Sequence, residues 1–322
     1  HAQGLDAVVE QAAERPDAPG QHRRRPGCGL SGARQEPSTS GAAAPLGHWT
    51  QPMHWQTARH AIDLDRPRVM GIVNATPDSF SDGGRHDGAA ALAHCEALLA
   101  QGADILDIGG ESTRPGASPP GADEELARVL PVLRGAVTLG VPVSVDTSEP
   151  AVMRAALDLG VDIVNDVRAL RRPGALQAVA AHPSAGVCLM HMKGEPATMA
   201  AEAVYADVVA EVGDFLRQCV QRVTAAGIGR ERIAVDPGIG FAKTAAHNLA
   251  LLSRQRELLD LGLPLLVGWS RKGTLGLLTG RPVGARVAAS VAAALAAVAR
   301  GASIVRVHDV AATVDALKVW RA

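Results

Sequence analysis

Residues 103–116 have the sequence ADILDIGGESTRPG, in which a short apolar run gives way to glycines and polar side chains. The run Ile105–Ile108 is nearly continuous in its apolar character, which is typical of a strand buried on both faces. Strands of this kind belong to parallel sheets whose faces are covered by helices. This stretch therefore predicts an α/β fold.

The same pattern occurs eight times along the chain. The apolar runs are Val69–Val73, Ile105–Ile108, Val141–Val145, Ile163–Val164, Gly186–Met190, Arg232–Val235, Leu265–Val267 and Ser303–Val307. The helical segments between and after them lie near 88–101, 123–138, 149–159, 174–182, 202–226, 246–260, 284–300 and 309–320. Eight such units within residues 53–322 predict a (β/α)8 TIM barrel, since barrels of about 250 residues are typical. A short hairpin is predicted within 54–68. An open doubly wound sheet is the alternative, but no G-x-G-x-x-G motif follows the first run.

The first 52 residues differ in composition from the rest of the chain. They contain seven Gly, six Pro and nine Ala, and no Ile, Met, Phe, Tyr or Lys. Such a segment buries too little apolar surface to offset the entropy of ordering it. We therefore predict that 1–52 is a disordered extension or translation of sequence upstream of a start at Met53, and that the folded domain is 53–322.

The composition of the whole chain excludes several protein classes. A length of 322 residues with 47% apolar residues supports a large core, and a net charge of −1 gives no pull toward nucleic acid or anionic membranes. The longest apolar run, Val287–Ala299, is too short to span a bilayer and predicts a buried helix. Four scattered cysteines indicate reduced thiols in a cytosolic protein.

Polar residues follow every predicted strand. They are Asn74, Asp107, Asp146-Thr147, Asn165-Asp166, His191, Asp236, Ser270-Arg271-Lys272 and Arg306 to Asp309. In a (β/α)8 barrel the carboxyl ends of the strands meet at one mouth, where active sites are built. A turn or helix cap is the simpler interpretation of any single pair, such as Asn165-Asp166. Recurrence after all eight strands predicts an active-site face.

Three of these groups predict a site for a planar nitrogen heterocycle. The carboxylates of Asp146 and Asp236 and the amide of Asn165 suit the ring N–H and amino groups of a pterin or purine. The alternative for any one carboxylate is an ion pair with Lys272 or Arg306. Lysine occurs only four times in the chain, and its use at 272 favours a need for an ammonium group there.

A second group of residues predicts an anion site. Its members are Thr113, Arg114, Arg306 and His308. Arginine grips a phosphate through two parallel hydrogen bonds. Asn74 offers a neutral oxygen that suits Mg²⁺ beside a diphosphate. The glycine-rich turns at 109–110 and 238–240 let backbone approach a ligand closely.

Two long connections flank the predicted mouth, from 75 to about 87 and from 111 to about 123. Connections of about a dozen residues without a helix of their own are commonly lids. Phe80 and Phe241, two of the three phenylalanines, fall at this mouth. Rim packing and stacking on a ligand are both compatible with that position.

These motifs carry a specific resemblance. The sequence resembles the dihydropteroate synthases over 53–322, in eight stretches that occur in order. The stretches are MGIVNATPDSFSDGG (70–84), ADILDIGGESTRPG (103–116), VSVDT (143–147), DIVNDV (162–167), CLMHMKGEPATM (188–199), AVDPGIGF (234–241), GWSRKGTLG (268–276) and IVRVHDV (304–310). Ala242 stands where glycine is common in the family, and no functional side chain is lost.

The resemblance implies a (β/α)8 transferase of folate biosynthesis. Such an enzyme joins 6-hydroxymethyl-7,8-dihydropterin diphosphate to p-aminobenzoate and releases pyrophosphate, and sulfonamides compete for the p-aminobenzoate site. The resemblance also implies Mg²⁺ as cofactor and a cytoplasmic homodimer. Its partners would be small-molecule substrates, without nucleic acid or membrane.

The resemblance also assigns roles by position. The pterin would be held by Asp146, Asn165, Asp236 and Lys272, and Met190 and Gly240 belong to the same substrate-binding set. The diphosphate would be held by Asn74, Thr113, Arg114, Arg306 and His308, with Mg²⁺ at Asn74. The p-aminobenzoate site would be formed by Phe80, Thr113, Phe241, Ser270 and Lys272. The catalytic set is Asn74, Asp146, Asp236, Lys272, Arg306 and His308.

Three other functions stay open at this point. One is a related pterin-binding methyltransferase, against which the ESTRPG, SRK and RVHD motifs argue. Another is a pterin-binding paralogue without activity. The third is a metallohydrolase with ligands Asp146, His191, Asp236 and His308, which lacks the His-x-His pair usual on a first strand. His191 is interpreted instead as a neutral core histidine, and Lys193 and Lys243 as solvated or rim residues.

Overall fold

A computed structural model describes residues 53–75, 87–111, 120–195, 198–199 and 201–322. The segment 1–52, predicted to be a disordered extension, lies outside the described residues, and so do most of both long connections at the mouth. No helix within the described ranges combines the length and the apolar character needed to cross a membrane.

A short hairpin precedes the barrel, as predicted. Its strands are β1 (His54–Gln56) and β2 (Ala61–Asp63), which pair antiparallel. The side chain of Trp55 is fully buried, and its indole N–H donates to the carbonyl oxygen of Arg232 at 3.0 Å. The hairpin packs on the apolar residues inside the barrel, near the ends at which the barrel strands begin.

Eight parallel strands form the barrel, which confirms the predicted fold. They are β3 (Arg68–Asn74), β4 (Ile105–Gly109), β5 (Val143–Asp146), β6 (Ile163–Asp166), β7 (Gly186–Met190), β8 (Ile233–Asp236), β9 (Leu266–Val267) and β10 (Ile304–Val307). Their order in the sheet is β8-β7-β6-β5-β4-β3-β10-β9. A parallel bridge between Val235 and Leu265 joins the two ends of that order. The open-sheet alternative is therefore wrong.

Helices cover the outside of the sheet. They are α1 (Asp87–Ala100), α2 (Ala122–Ala136), α3 (Pro150–Asp158), α4 (Ala175–Ala180), α5 (Val208–Ala225), α6 (Ala245–Ser253), α7 (Gly273–Thr279), α8 (Val287–Val298) and α9 (Val310–Arg321). Outward-facing strand residues such as Val145, Val164 and Val187 are fully buried against this layer. Complete burial of each such side chain stabilises the fold by about 1.5–3 kcal/mol.

Three helical segments differ from the sequence prediction. The segment predicted near 246–260 is divided into α6 and a 3-10 helix, Gln255–Leu261. The segment predicted from 202 begins at Val208, because the Asp207 side chain accepts hydrogen bonds from the backbone N–H of Val209 and Ala210 and caps the helix there. Helix α7, which starts directly after Lys272, was not predicted. With only seven residues, it is too short for a clear helical period.

Alternate residues of each strand face the barrel interior. One inner layer is apolar and contacts the hairpin; it contains Met70, Ile105, Ile163, Cys188, Ala234, Leu266 and Ile304. The residues two positions further along the strands share this orientation; they include Asp107, Asn165, Met190, Asp236 and Arg306. The interior therefore changes from apolar to polar in one step toward the carboxyl ends of the strands.

Candidate active site at the mouth of the barrel

The register of the strands aligns the predicted polar residues at the carboxyl ends of neighbouring strands. Asn74 is paired with Gly109, Gly109 with Asp146, and Asp146 with Asn165 across four neighbouring strands. On the other side, Met190 is paired with Asp236. The structure confirms that the carboxyl ends of the strands converge at a single mouth.

Arg306 lies in the middle of this polar layer. Its Nε donates to Oδ2 of Asp107 and its Nη2 donates to Oδ2 of Asp146, both at 2.6 Å. The alternative that a carboxylate of this layer is an ion-pair partner of Arg306 thus holds for Asp146. Among the described residues, Nη1 of Arg306 has no hydrogen-bond partner, so one nitrogen of the guanidinium stays available to an anion.

Asp107 is a site residue that the sequence interpretation missed. Its side chain is fully buried, and Oδ2 accepts from both Arg306 and Asn165, the latter at 3.2 Å. Its Oδ1 is buried without a hydrogen-bond partner among the described residues. The signal was present in the strand ILDIG, where a carboxylate stands at an inward position of a buried run. A buried carboxylate there requires a cationic partner.

Asn165 and Asp166 are neighbours with different roles. Asn165 faces the interior and meets Asp107, whereas Asp166 faces outward and organises a turn. The Asp166 carboxylate accepts from the backbone N–H of Arg168 and Leu170 and from the Ser148 hydroxyl. The turn interpretation is therefore correct for Asp166 alone.

Asp236 and Lys272 lie on the opposite side of the mouth. Asp236 is 6% exposed and accepts from the backbone N–H of Gly238 at 2.7 Å. The ammonium of Lys272 lies 4.2 Å from the centre of the Phe241 ring, within the range of a cation–π contact. A Cβ on Gly240 would come within 3.1 Å of Cδ of Lys272, so Gly240 allows this lysine to lie against the backbone.

Burial shifts the protonation of these groups. It raises the pKa of Asp146 to about 7, against the opposing charge of Arg306, and that of Asp236 to about 6, against the Gly238 N–H and Lys272. Burial lowers the pKa of Lys272 to about 8, although Asp236 opposes the shift. Perturbed groups of both signs around one cavity are typical of functional sites.

His308 and Ser270 form a pair at the end of β10. The Ser270 hydroxyl lies 2.9 Å from Nδ1 of His308 and also accepts from the His308 backbone N–H at 3.1 Å. Burial and the neighbouring Arg306 lower the pKa of His308 to about 4. The imidazole is thus neutral near pH 7 and interacts through hydrogen bonds rather than charge.

An apolar cluster adjoins the polar layer. It contains Val167, Met190, Met192, Met199, Phe241 and Ala242. Met190 and Phe241, both predicted to bind substrate, therefore belong to one wall. The predicted residues Phe80, Thr113 and Arg114 lie outside the described residues.

The interpretation of Lys243 as a solvated or rim residue is wrong. Its ammonium lies 2.8 Å from Nδ1 of His191 and 3.0 Å from the carbonyl oxygens of Gly238 and Phe241. Burial lowers the pKa of Lys243 to about 7. His191 is 2% exposed, and burial together with Lys243 lowers its pKa to about 2, which agrees with a neutral core histidine.

The described part of the chain holds no cluster of three or more His, Cys, Asp or Glu side chains that could bind a metal ion. In particular, Asp146 is paired with Arg306 and His191 with Lys243. The ligand set of the metallohydrolase alternative is therefore not assembled among these residues.

Comparisons with known proteins agree with this geometry. A family model described as pterin binding enzyme matches residues 70–308. The dihydropteroate synthase of Neisseria meningitidis serogroup B is 55% identical over 275 residues, which cover 83% of this chain and 96% of that protein.

Two solved structures extend the comparison. Dihydropteroate synthase of Xanthomonas albilineans with 4-aminobenzoic acid is 52% identical, with a TM-score of 0.80 over 84% of this chain and 98% of that one. The Burkholderia cenocepacia enzyme complexed with 7,8-dihydropteroate is 50% identical, with a TM-score of 0.76 over 84% of this chain and 96% of that one.

Proposed function

The chain belongs to the dihydropteroate synthase family and catalyses the condensation of 6-hydroxymethyl-7,8-dihydropterin diphosphate with p-aminobenzoate, and we propose that both substrates bind at the polar mouth of its barrel. The observation that carries this proposal is the inward-facing set of carboxylate, amide and ammonium groups in one layer. That set offers both acceptors and a donor to the hydrogen-bonding groups of a pterin ring.

The pterin lies deepest in the proposed arrangement. Asp146, Asn165 and Asp236 offer acceptors to the ring N–H and amino groups, and the compact ammonium of Lys272 donates to a ring carbonyl or nitrogen. Both carboxylates have raised pKa values in the free protein. A ligand that brings N–H donors or positive charge favours their ionised form.

The diphosphate meets a separate set of donors. Arg306 keeps Nη1 available while Asp107 and Asp146 fix the other two nitrogens, so the guanidinium is already oriented before the anion arrives. His308 supplies a neutral imidazole held by Ser270. By the family resemblance, Thr113 and Arg114 would add two more donors.

Asn74 would hold Mg²⁺ beside the diphosphate. Its side chain has no hydrogen-bond partner within the described ranges, so its amide oxygen is available to a cation. Magnesium commonly takes few protein ligands and completes its shell with substrate phosphates and water, which fits a site with a single side-chain oxygen. When bound, Mg²⁺ would neutralise charge on the departing diphosphate.

The reaction requires no covalent bond to the protein. The C–O bond to the diphosphate breaks and its electron pair leaves with pyrophosphate, so the exocyclic carbon becomes positive and shares its charge with the pterin ring. Asp146 and Asp236 stabilise that cation, and Arg306 stabilises the leaving anion. The p-aminobenzoate nitrogen then attacks the carbon, forms the C–N bond and loses a proton to the released pyrophosphate or to solvent.

The p-aminobenzoate site adjoins Phe241, Ser270 and Lys272. The Phe241 ring offers an apolar face for the aminobenzoate ring, and Lys272 lies beside it at 4.2 Å. A sulfonamide has a similar aromatic amine with an acidic group opposite to it, so we include competition by sulfonamides at this site in the proposal.

We propose a homodimer that uses exposed apolar residues of α7 and of the connection between α7 and α8. Leu277, Leu278 and Val283 lie there and are 78%, 59% and 58% exposed. Large apolar residues that are exposed close together in the sequence are candidates for a protein interface. We also propose a cytoplasmic location, supported by the free and buried thiols of Cys95, Cys188 and Cys219.

A coupled pyrophosphate assay tests the proposed function. Purified protein is given the pterin diphosphate and p-aminobenzoate, with and without Mg²⁺, and dihydropteroate is quantified in parallel. We expect equal amounts of pyrophosphate and dihydropteroate, formed only when Mg²⁺ is present. Pterin binding without turnover would instead identify an inactive paralogue.

Calorimetry with the pterin diphosphate tests the site assignment. Asp236→Ala and Lys272→Ala should each abolish measurable binding, whereas Asp315→Ala, which removes a surface carboxylate that is 76% exposed, should leave it unchanged. Unchanged affinity in the first two variants would contradict the placement of the pterin.

A further inference from the structure

The turn between β8 and α6 folds around a single ammonium group. We propose that Lys243 is a positioning residue for the condensation, whose ammonium holds the turn Asp236–Phe241 so that Phe241 and Gly240 stay against Lys272. This inference rests on the proposed p-aminobenzoate site. It concerns a residue to which neither the motif pattern nor the resemblance gave a role.

Lys243 collects acceptors from two loops. Its Nζ donates to the carbonyl oxygens of Gly238 and Phe241 at 3.0 Å each, and to that of His191 at 3.5 Å. Nδ1 of His191 lies nearest, at 2.8 Å, so the three N–H donors of the ammonium are directed to Nδ1 and the two nearer carbonyl oxygens, and the 3.5 Å contact is the weakest. The ammonium thus joins the turn after β8 to the residue that follows β7.

His191 has the protonation state that this contact requires. Its pKa is lowered to about 2, so the ring is neutral, and in the tautomer with the proton on Nε2 the Nδ1 atom accepts from Lys243. The ring packs edge-on against Phe215, with 4.8 Å between ring centres. His191 is therefore held in place by packing and offers Lys243 a fixed hydrogen-bond acceptor.

The turn adopts conformations that need such support. Gly238 and Gly240 have φ values of 69° and 81°, and Ala242 has a φ of 51°. A left-handed conformation is costly for alanine, which stands here where the family commonly has glycine. The backbone of Gly238 also lies very close to that of His191, because a Cβ on Gly238 would be 2.0 Å from the His191 carbonyl oxygen.

Tyr205 supports the same turn from outside. Its hydroxyl donates to the carbonyl oxygen of Ala242 at 3.0 Å. Three carbonyl oxygens of the turn, those of Gly238, Phe241 and Ala242, are thus bound by Lys243 or Tyr205. Tyr205→Phe removes only this hydroxyl and keeps the ring, which also contacts His191 and His247, so it is a specific second perturbation of the turn.

The contacts of Lys243 lie next to the proposed p-aminobenzoate site. The carbonyl that Lys243 binds belongs to Phe241 itself, and the Phe241 ring lies 4.2 Å from the Lys272 ammonium. Loss of the Lys243 contacts would let the ring leave the wall of the p-aminobenzoate site. The pterin layer, which is fixed by strand residues, would move less.

Steady-state kinetics of three variants test the inference after wild-type turnover is established. Lys243→Met keeps the length of the side chain without its charge, Tyr205→Phe removes one hydroxyl, and Lys318→Met is the matched control on an exposed lysine. We expect Lys243→Met to raise KM for p-aminobenzoate about ten-fold, equivalent to about 1.4 kcal/mol. Its kcat and its KM for the pterin diphosphate should change less, by under about three-fold, because Asp146 and Asn165, which hold the pterin, lie on strands and not on this turn.

Tyr205→Phe should raise the KM for p-aminobenzoate by about three-fold, with a melting temperature equal to that of the wild type. If Lys243→Met does not fold, this variant alone tests the inference. An unchanged KM for p-aminobenzoate in folded variants would overturn the inference, as would a parallel loss of all kinetic parameters. Absence of turnover in the wild type would instead contradict the proposed function.

Discussion

Replacement of Arg306 by methionine should cost both activity and stability, and the loss of stability should depend on pH. Arg306 is the cation of the polar layer, with two charged hydrogen bonds of 2.6 Å to Asp107 and Asp146. The Arg306 side chain is 22% exposed and that of Asp107 is fully buried. Removal of one partner from a buried ion pair costs about 3–5 kcal/mol.

The sign of the pH dependence follows from Asp146. Its pKa in the folded protein is already raised to about 7, so the native state binds more protons than the unfolded state and stability falls as pH rises toward 7. Without Arg306 the pKa of Asp146 rises further, and this fall continues above pH 7. The difference between wild type and variant should then grow by about 1.4 kcal/mol for each pH unit above 7.

Urea unfolding at pH 5.5, 7 and 8.5 measures this difference, and turnover is assayed on the same samples. The matched control is Arg59→Met, which breaks a 2.6 Å ion pair to the buried Asp162 near the opposite end of the barrel. We expect the control to lose about 1–3 kcal/mol of stability but no activity. The Arg306 variant should lose at least about a hundred-fold in kcat/KM. An equal stability loss at pH 7 and 8.5, or equal activity in the two variants, would refute the reasoning.

Three further predictions concern single positions. Gly240→Ala should weaken binding of the pterin diphosphate about ten-fold in calorimetry, because its Cβ would press on Lys272 and the φ of this position is 81°. Gly140→Ala is the control for backbone strain alone, because Gly140 has a φ of 75° and open space where the Cβ would lie. Binding of the pterin by the wild type should weaken as pH rises through about 8, where Lys272 loses its proton, and Lys272→Met should bind weakly at every pH; a similar slope in both would contradict this role. Leu277→Asp should convert the dimer to a monomer in sedimentation velocity, because the leucine is 78% exposed and a carboxylate is not tolerated in an apolar interface. A wild-type protein that sediments as a monomer would contradict the proposed dimer.

The sequence predicted the barrel because its eight buried strands and their polar ends repeat at regular intervals. Even the division between Asn165 and Asp166 follows from a strand period of two, once the inward face is known. Helix α7 was missed because seven residues carry too little periodic signal.

The sequence gives no sign of the buried contacts of Lys243, for a different reason. Its acceptors are mainly backbone carbonyls of a turn, and carbonyls are the same at every residue, so no pattern of side chains records them. The sequence predicts Asp107 as a polar strand end but not as a site residue, because its partner Arg306 lies 199 positions away in the chain. Contacts of that kind become visible only when the barrel closes.

The alternation of inward and outward residues also restricts how this sequence can change over evolutionary time. A one-residue deletion early in β4 would exchange the orientations of Asp107 and Ile108, placing a carboxylate among the helices and an isoleucine beside Arg306. Substitutions within the strands can therefore accumulate one at a time, whereas insertions and deletions are confined to the connections. Natural variation in the length of this chain should be found between its strands and helices, and the spacing inside each strand should stay fixed.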